Sequence, residues 1–301
     1  MTNVVDRLPI GSHVVVIRLR ALGDCVLSTP AIHLLKQYRP DLQIAVVSEP
    51  AMAPVYHGNP DLSAVLPPAI AAVRGFHPEL CINYHGGVRT ARLTLLSGAS
   101  TRAGYDMLRF QSIYNAAIPT AQRILGIDRQ VHTAEHMASA MFFLGVPVSE
   151  VPHTSIYPPS GRSDLVPAGP YAVIHPLASR TDKTWPSDRY RALAESLDVE
   201  PVFIGVPTED LSPFSEWRTL TGTPLTEVER IIRDADLFVG NDSGPAHIAA
   251  AVGTPAVVLF GPSCPGIWGP WRAKAEVVQA DGVMTSITVA AVLHAVGKVL
   301  S

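Results

Sequence analysis

Asn241-Asp242-Ser243-Gly244 closes a hydrophobic, strand-like run, Leu237–Gly240, and opens a small-residue helix that carries His247. An acid, a hydroxyl and a glycine at a strand-to-helix turn suit ligand binding. Ser243 and Gly244 can present free backbone N–H groups and the positive end of a helix dipole to a phosphate. Asp242 would repel a phosphate set directly on it and suits hydroxyls, such as those of a sugar. The competing reading is structural: Asp242 or Ser243 caps the helix, and His247 is a buried, satisfied histidine. Pro245, near the first helical position, fits both readings.

Two other strand ends carry comparable chemistry. In "RLRALGDCVLSTPA", Gly23 and Asp24 form the loop between a first strand and a first helix. Asp24 is either the helix N-cap or a carboxylate that accepts a proton from substrate. Both hold together only if one oxygen caps while the other faces substrate. In "HPLASRTDKTWPSDRY", a polar loop brings Ser179, Arg180, Thr181 and Lys183 to the end of another strand. A lone loop lysine is usually just solvated, whereas one among hydroxyls can bring a mobile point charge to an oxyanion. Lys183 and the helix start at Ser243 together fit a diphosphate better than either does alone. "HTAEH", His132–His136, matches the inverted zincin pattern H-x-x-E-H. Without an evident third ligand it reads as a surface helix turn, and no metal site is expected. The absence of G-x-G-x-x-G after the first strand argues against a nicotinamide-dependent enzyme.

These residues need elements to hold them. Val14–Arg18, Gln43–Ser48 and Leu80–Asn83 read as strands, Val26–Tyr38 as a long amphipathic helix, and Leu93–Leu96 and Met137–Leu144 as helical. The Pro-rich segment Tyr157–Pro170 reads as an inter-domain linker and hinge. The pattern then restarts, with strands at Tyr171–His175, Val202–Gly205, Leu237–Gly240 and Ala256–Phe260. Helices fall at Ser187–Leu197, Thr226–Ala235, Pro245–Val252 and Ile287–Leu300. Alternation of strand and helix predicts two α/β domains with parallel sheets, 1–158 and 159–285. The last helix, about 286–301, is open to packing back on the first domain. Ligands of such sheets sit outside the carboxyl ends of the strands, where the three polar turns lie.

The 301 residues are 47% hydrophobic and 16% charged, enough for two buried cores. A net charge of -3 gives no general attraction to nucleic acid. Cys25, Cys81 and Cys264 offer neither a disulfide framework nor a zinc knuckle and suit a reducing compartment. No signal peptide and no membrane span are read, so a cytoplasmic protein is expected, with peripheral contact at the inner membrane left open.

The sequence resembles the family 9 glycosyltransferases, the bacterial ADP-heptose:lipopolysaccharide heptosyltransferases and their relatives. Four segments carry the likeness: "VVVIRLRALGDCVLSTPAIHLLKQYRPDLQIAVVSEP", "INYHGGVRTARLTLLSGASTRAGYD", "VIHPLASRTDKTWPSDRYRALAESL" and "FVGNDSGPAHIAAAVGTPAVVLFGPSCPGIWGPW". The resemblance implies a GT-B fold, two Rossmann-like domains facing each other across a cleft, and an inverting transfer with no metal and no cofactor beyond an ADP-sugar donor. It puts the catalytic carboxylate on Asp24 and the phosphate-binding lysine on Lys183. The donor-binding turn falls on Asp242, Ser243, Gly244 and His247, with donor hydroxyl contacts at Ser179 and Thr181 and a ribose contact at Glu209. It implies a glycan or lipid-linked glycan acceptor and a monomer. Relatives that build the lipopolysaccharide inner core hold a phosphorylated acceptor with a basic cluster. The comparable stretch here, "LPPAIAAVRGFHPE", has one arginine, so Arg89, Arg92, Arg102 and Arg109 are the nearest substitutes. A nucleotide-sugar epimerase of GT-B fold and a non-catalytic nucleotide-sugar binder are the rival functions.

Overall fold

The computed structural model describes residues 2–301, which divide into two compact units after Tyr157. In the first unit, β1 (His13–Ile17), β2 (Gln43–Val47), β3 (Ala64–Leu66), β4 (Leu80–Asn83), β5 (Thr101–Tyr105) and β6 (Ala116–Ile118) form one sheet ordered β3-β2-β1-β4-β5-β6. Its helices are α1 (Leu22–Leu27), α2 (Thr29–Tyr38), α3 (Ile70–Gly75), α4 (Val88–Leu95), α5 (Ala121–Leu125) and α6 (Thr133–Leu144). The second unit holds β7 (Tyr171–His175), β8 (Glu200–Gly205), β9 (Arg218–Thr221), β10 (Leu237–Asn241), β11 (Ala256–Phe260) and β12 (Ala275–Gln279), ordered β12-β11-β10-β7-β8-β9. Its helices are α7 (Ser187–Glu195), α8 (Leu225–Arg233), α9 (Gly244–Val252), α10 (Pro265–Trp268) and α11 (Val289–Leu300). The pairings are parallel in both sheets. Each unit therefore has the Rossmann strand order, with a switch point between β1 and β4 and another between β7 and β10.

The central strands were legible because a parallel strand covered on both faces is a near-continuous apolar run. Val14–Ile17 and Ala172–Ile174 are fully buried. The shorter or more polar outer strands β3, β5, β6, β9 and β12 lack that signature and were not foreseen.

The first predicted helix is two helices. Pro30 has no N–H to bond Val26 O, so the ladder breaks at Ser28. The Thr29 hydroxyl donates to the freed Val26 carbonyl at 2.8 Å, and the Ser28 hydroxyl donates to Cys25 O at 2.7 Å. The break leaves a short α1, with Asp24 in its first turn.

Most of the Pro-rich segment is not a free linker. Arg233 donates to the carbonyls of Pro159 and Gly161, and Arg230 to those of Gly161 and Arg162. Arg162 in turn donates to Pro167 O and Gly169 O, and Arg218 to Leu165 O. The guanidiniums of the second unit thus bind the backbone that proline deprives of its own donors. The segment from Pro159 onward is thereby held to the second unit. Helix α11 also lies with the second unit: Val292, Ala295, Val296 and Val299 are buried in a core shared with Trp185, Tyr190 and Leu259.

Glu229 of α8 is 2% exposed, and its Oε1 has no hydrogen-bond partner. Burial pushes its carboxyl up from 4.5 to about 7. A carboxyl with a raised folded-state pKa binds its proton more tightly folded than unfolded. Stability therefore falls as pH rises from about 4.5 to 7, and the full penalty, on the order of 1–3 kcal/mol, is present above pH 7. Glu229→Gln should raise the melting temperature at pH 8 and leave it nearly unchanged at pH 5. An equal shift at both pH values would show that ionisation is not the cause.

Candidate functional site

At the second unit's switch point, the end of β7, the loop after it, and the starts of the segments after β10 and β11 bring polar groups together. Asn241 is fully buried as the last residue of β10. Its amide nitrogen donates to Pro176 O at 2.9 Å, and its oxygen accepts the Trp185 N–H at 3.1 Å. Trp185, fully buried, donates its indole N–H to Ile287 O at 2.9 Å. Both ends of the loop that carries Ser179, Thr181 and Lys183 are therefore pinned, while Ser179 and Thr181 themselves are exposed. Gly240 permits this approach: a Cβ there would stand 2.9 Å from the Phe238 ring and 3.1 Å from His175 O.

Lys183 is not a free cation. Its Nζ lies 2.7 Å from Asp242 Oδ2, which also accepts the Ser263 hydroxyl at 2.6 Å. With its side chain 7% exposed, Asp242 acts here as the anchor of Lys183 rather than as an open acceptor for sugar hydroxyls. Ser243 occupies the N-cap position of α9 but makes no side-chain cap bond. Its hydroxyl is instead 3.0 Å from His175 Nδ1. Gly244 is the first residue of α9; Pro245 after it has no N–H, and the Ala246 N–H donates to Ser243 O at 3.2 Å. His247 is buried one turn into the same helix. Glu209, in the loop after β8, accepts the Val206 N–H at 2.8 Å and lies 3.5 Å from His175 Nε2. Burial acts to raise its pKa, but the His175 and Val206 contacts win and hold it below the ordinary carboxylate value.

The first unit's switch point holds Asp24. Ala21 is the N-cap of α1, Gly23 is its second residue rather than part of a loop, and Asp24 is its third. Asp24 is thus not the N-cap, although its Oδ2 reaches back to the Ala21 N–H at 3.4 Å. The same oxygen is ion-paired to the guanidinium of Arg18, which also donates to Tyr84 O at 2.7 Å. Both anchors fall on Oδ2, leaving Oδ1 as the oxygen that can meet a ligand. His85, after β4, shares this neighbourhood; burial first, then Arg18 and Arg20, hold its imidazole below the ordinary value.

The arginines scatter. Arg89 and Arg92 lie exposed on α4, Arg89 paired with Glu49. Exposed Arg109 sits over the Phe110 ring, 5.1 Å from its centroid. Arg102 is near the amino end of β5, where its guanidinium donates to Ile113 O and Ala99 O. It is a structural residue at the opposite end of the sheet from Asp24. The H-x-x-E-H run is no surface turn. His132 caps α6 by accepting the Ala134 N–H, Glu135 pairs with Arg129, and His136 stacks on Tyr105 at 4.5 Å. Among the described residues no group of three His, Cys, Asp or Glu side chains could hold a metal.

Sequence reasoning missed His175, Asn241, Ser263, Arg18 and His85. His175 ends a predicted strand and Asn241 directly follows one, and that position is the one signal they carried. Ser263 and Arg18 are reached only through the folded contacts.

Two Rossmann-like units of this strand order define the GT-B class of fold. Residues 72–289, over half of the chain, match the model of glycosyltransferase family 9 (heptosyltransferase). Lipopolysaccharide heptosyltransferase 3 of Escherichia coli is 28% identical over 290 residues, covering 84% of each chain. Among solved structures, E. coli ADP-heptose lps heptosyltransferase II superposes with a TM-score of 0.82 at 20% identity, over 96% of this chain and 98% of that one. E. coli heptosyltransferase WaaC with ADP does so at 0.75 and 22%, over 95% and 99%. The chain belongs to glycosyltransferase family 9 and is a glycosyltransferase.

The Lys183–Asp242 pair yields a stability test. Lys183→Ala leaves a buried carboxylate with one hydroxyl donor, which should cost about 1–3 kcal/mol in denaturant unfolding. Adding Asp242→Asn should recover most of it. A double variant no more stable than Lys183→Ala would mean that the pair is not what holds the loop.

Proposed function

We propose that this glycosyltransferase moves a heptose from ADP-heptose to a hydroxyl of a lipopolysaccharide-core saccharide, by a single inverting displacement without a resident metal. The observation that carries the donor half is the start of α9: Ser243 is turned away from its own helix, and Lys183 is anchored nearby through Asp242. N–H groups at a helix start and a fixed ammonium suit a diphosphate leaving group. The names of the relatives support the sugar and the acceptor class, and the ADP-bound neighbour supports the nucleotide. Ser179 and Thr181 are the exposed hydroxyls of the same loop, and Glu209 is the carboxylate assigned to the ribose.

Asp24 is the proposed general base. Oδ1 takes the proton of the acceptor hydroxyl as that oxygen attacks the anomeric carbon. The bond from the anomeric carbon to the diphosphate breaks with its electron pair on the departing ADP, whose charge meets Lys183 and the N–H groups at Ser243–Gly244. Electrostatic stabilisation by fixed donors is commonly the largest contribution in such a site. Arg89, Arg92 and Arg109 are the exposed cations proposed for an anionic acceptor. The family match and this donor arrangement favour transfer over epimerisation or mere binding.

A thermal-shift screen of sugar nucleotides tests the donor: ADP-heptose at 100 times its Kd should add about 2.7 kcal/mol, and equal shifts with UDP-sugars would reject it. Asp24→Asn retains an oxygen able to accept the Arg18 and Ala21 donors but removes the carboxylate. It should keep the melting temperature and the ADP affinity while losing about 10²–10⁴ in kcat. A fully active Asn variant would end the general-base assignment.

A further inference from the structure

Helix α4 exposes apolar residues and buries polar ones. Thr90 and Thr94 lie inside with Ala91 and Leu93, and their hydroxyls donate to His85 O and Thr90 O. Val88, Arg92 and Leu95 face solvent at i, i+4 and i+7, with Val88 65% exposed. The loop after β5 continues this surface, since a Cβ on Gly86 would stand 3.3 Å from Leu108 Cδ2. The backbone of that loop is held from within. The Gln111 amide donates to Tyr105 O and Leu108 O, and the Leu108 N–H donates to Tyr105 O at 3.0 Å. Even so it shows Met107, 61% exposed, and Phe110, 38% exposed, to water. Phe110 stands on a left-handed backbone, φ +68°, which is unfavourable for a bulky residue. The Arg109 guanidinium lies over its ring at 5.1 Å. From Gly86 to Ile113 the one acid is Asp106, and it pairs with Arg123. Arg92 and Arg109 have no carboxylate partner among the described residues, although the net charge of the chain is -3.

We propose that Val88, Leu95, Met107 and Phe110, with Arg92 and Arg109, form a docking surface for an anionic lipid bilayer. The apolar tips enter the interfacial zone, where aromatic rings are favoured, and the guanidiniums meet headgroup phosphates. A local excess of cations on a chain of negative net charge selects anionic lipid over neutral lipid. The loop leaves the carboxyl end of β5, the same end of the parallel sheet as Asp24 and His85. Docking therefore brings the proposed base to the face of the bilayer that would anchor a lipid-linked glycan. The inference goes beyond the reading of Arg92 and Arg109 as contacts of an anionic acceptor. It concerns the lipid around the anchor, and its test needs neither glycan nor donor.

Flotation of the full chain with vesicles provides that test, with phosphatidylethanolamine–phosphatidylglycerol vesicles against neutral phosphatidylcholine ones. The parent should bind the anionic vesicles about tenfold better, and added salt should reduce the advantage. Met107→Ser/Phe110→Ser should lose about tenfold or more at an unchanged melting temperature. Arg92→Gln/Arg109→Gln should lose about tenfold on the anionic vesicles alone. Phe110→Trp should bind at least as well as the parent, because indole favours the interface. Ile10 is more exposed still but precedes β1, at the other end of the sheet, so Ile10→Ser should bind like the parent. A parent that does not float with anionic vesicles, or floats equally with neutral ones, overturns the proposal. So does a Met107→Ser/Phe110→Ser variant that binds like the parent or loses no more than Ile10→Ser. A dimer in light scattering that the same double variant breaks would give this face to a second copy of the chain and overturn the proposal as well.

Discussion

Asn241 is the constraint on which the second unit's polar site depends. A buried primary amide is tolerated only when its donors and acceptor are met. Here Nδ2 donates to Pro176 O and Oδ1 accepts the Trp185 N–H, one at each end of the loop that carries Lys183. The loop cannot move without breaking buried hydrogen bonds, and Trp185 extends the lock to the segment before α11 through Ile287 O. Lys183 is long and flexible, yet its base is fixed by Asn241 and its tip by Asp242. Preorganisation of this kind lets fixed charges act without reorganising during the reaction.

The same plan is used twice in one chain. Both sheets have the Rossmann strand order, and in both the polar residues gather where that order reverses. Asp24 and His85 follow β1 and β4; Lys183 and Ser243 follow β7 and β10. At a switch point neighbouring loops leave in opposite directions and open a crevice at the strand ends, so side chains there are not closed over by a crossover helix. The pairing of charges differs between the units. Asp24 is held by Arg18, an anion steadied by a cation, and Lys183 is held by Asp242, a cation steadied by an anion. Each of these proposed site groups thus has a partner of opposite sign that occupies part of its bonding capacity.

Arginine does most of the remaining positioning. Arg230 and Arg233 turn a proline-rich stretch that looks mobile into part of the second unit. Arg102, which the resemblance offers as an acceptor ligand, is used on the backbone carbonyls of Ala99, before β5, and Ile113, before β6. A planar fork of five donors satisfies carbonyls that proline leaves without local partners, and lysine could not do this at the same angles.

Much was determined by the sequence itself. Runs such as Val14–Ile17, Ala172–Ile174 and Ala256–Phe260 can be little else than central parallel strands, and their alternation with helical periods imposes two α/β units. The polar turns at Asp24, Lys183 and Asp242-Ser243-Gly244 could be placed at strand ends, a one-dimensional property, and ligands of such folds bind there. Edge strands such as Arg218–Thr221 stayed hidden because half-exposed, polar pairing has no composition of its own. What the tertiary structure alone decided was which groups are spent on one another. Whether Lys183 is free or paired, whether Ser243 caps its helix or faces His175, and whether the Pro-rich segment swings or is pinned all depend on residues 59 to 74 positions away. Spacing along the chain carries no record of such contacts, because they are set by how the strands and helices pack.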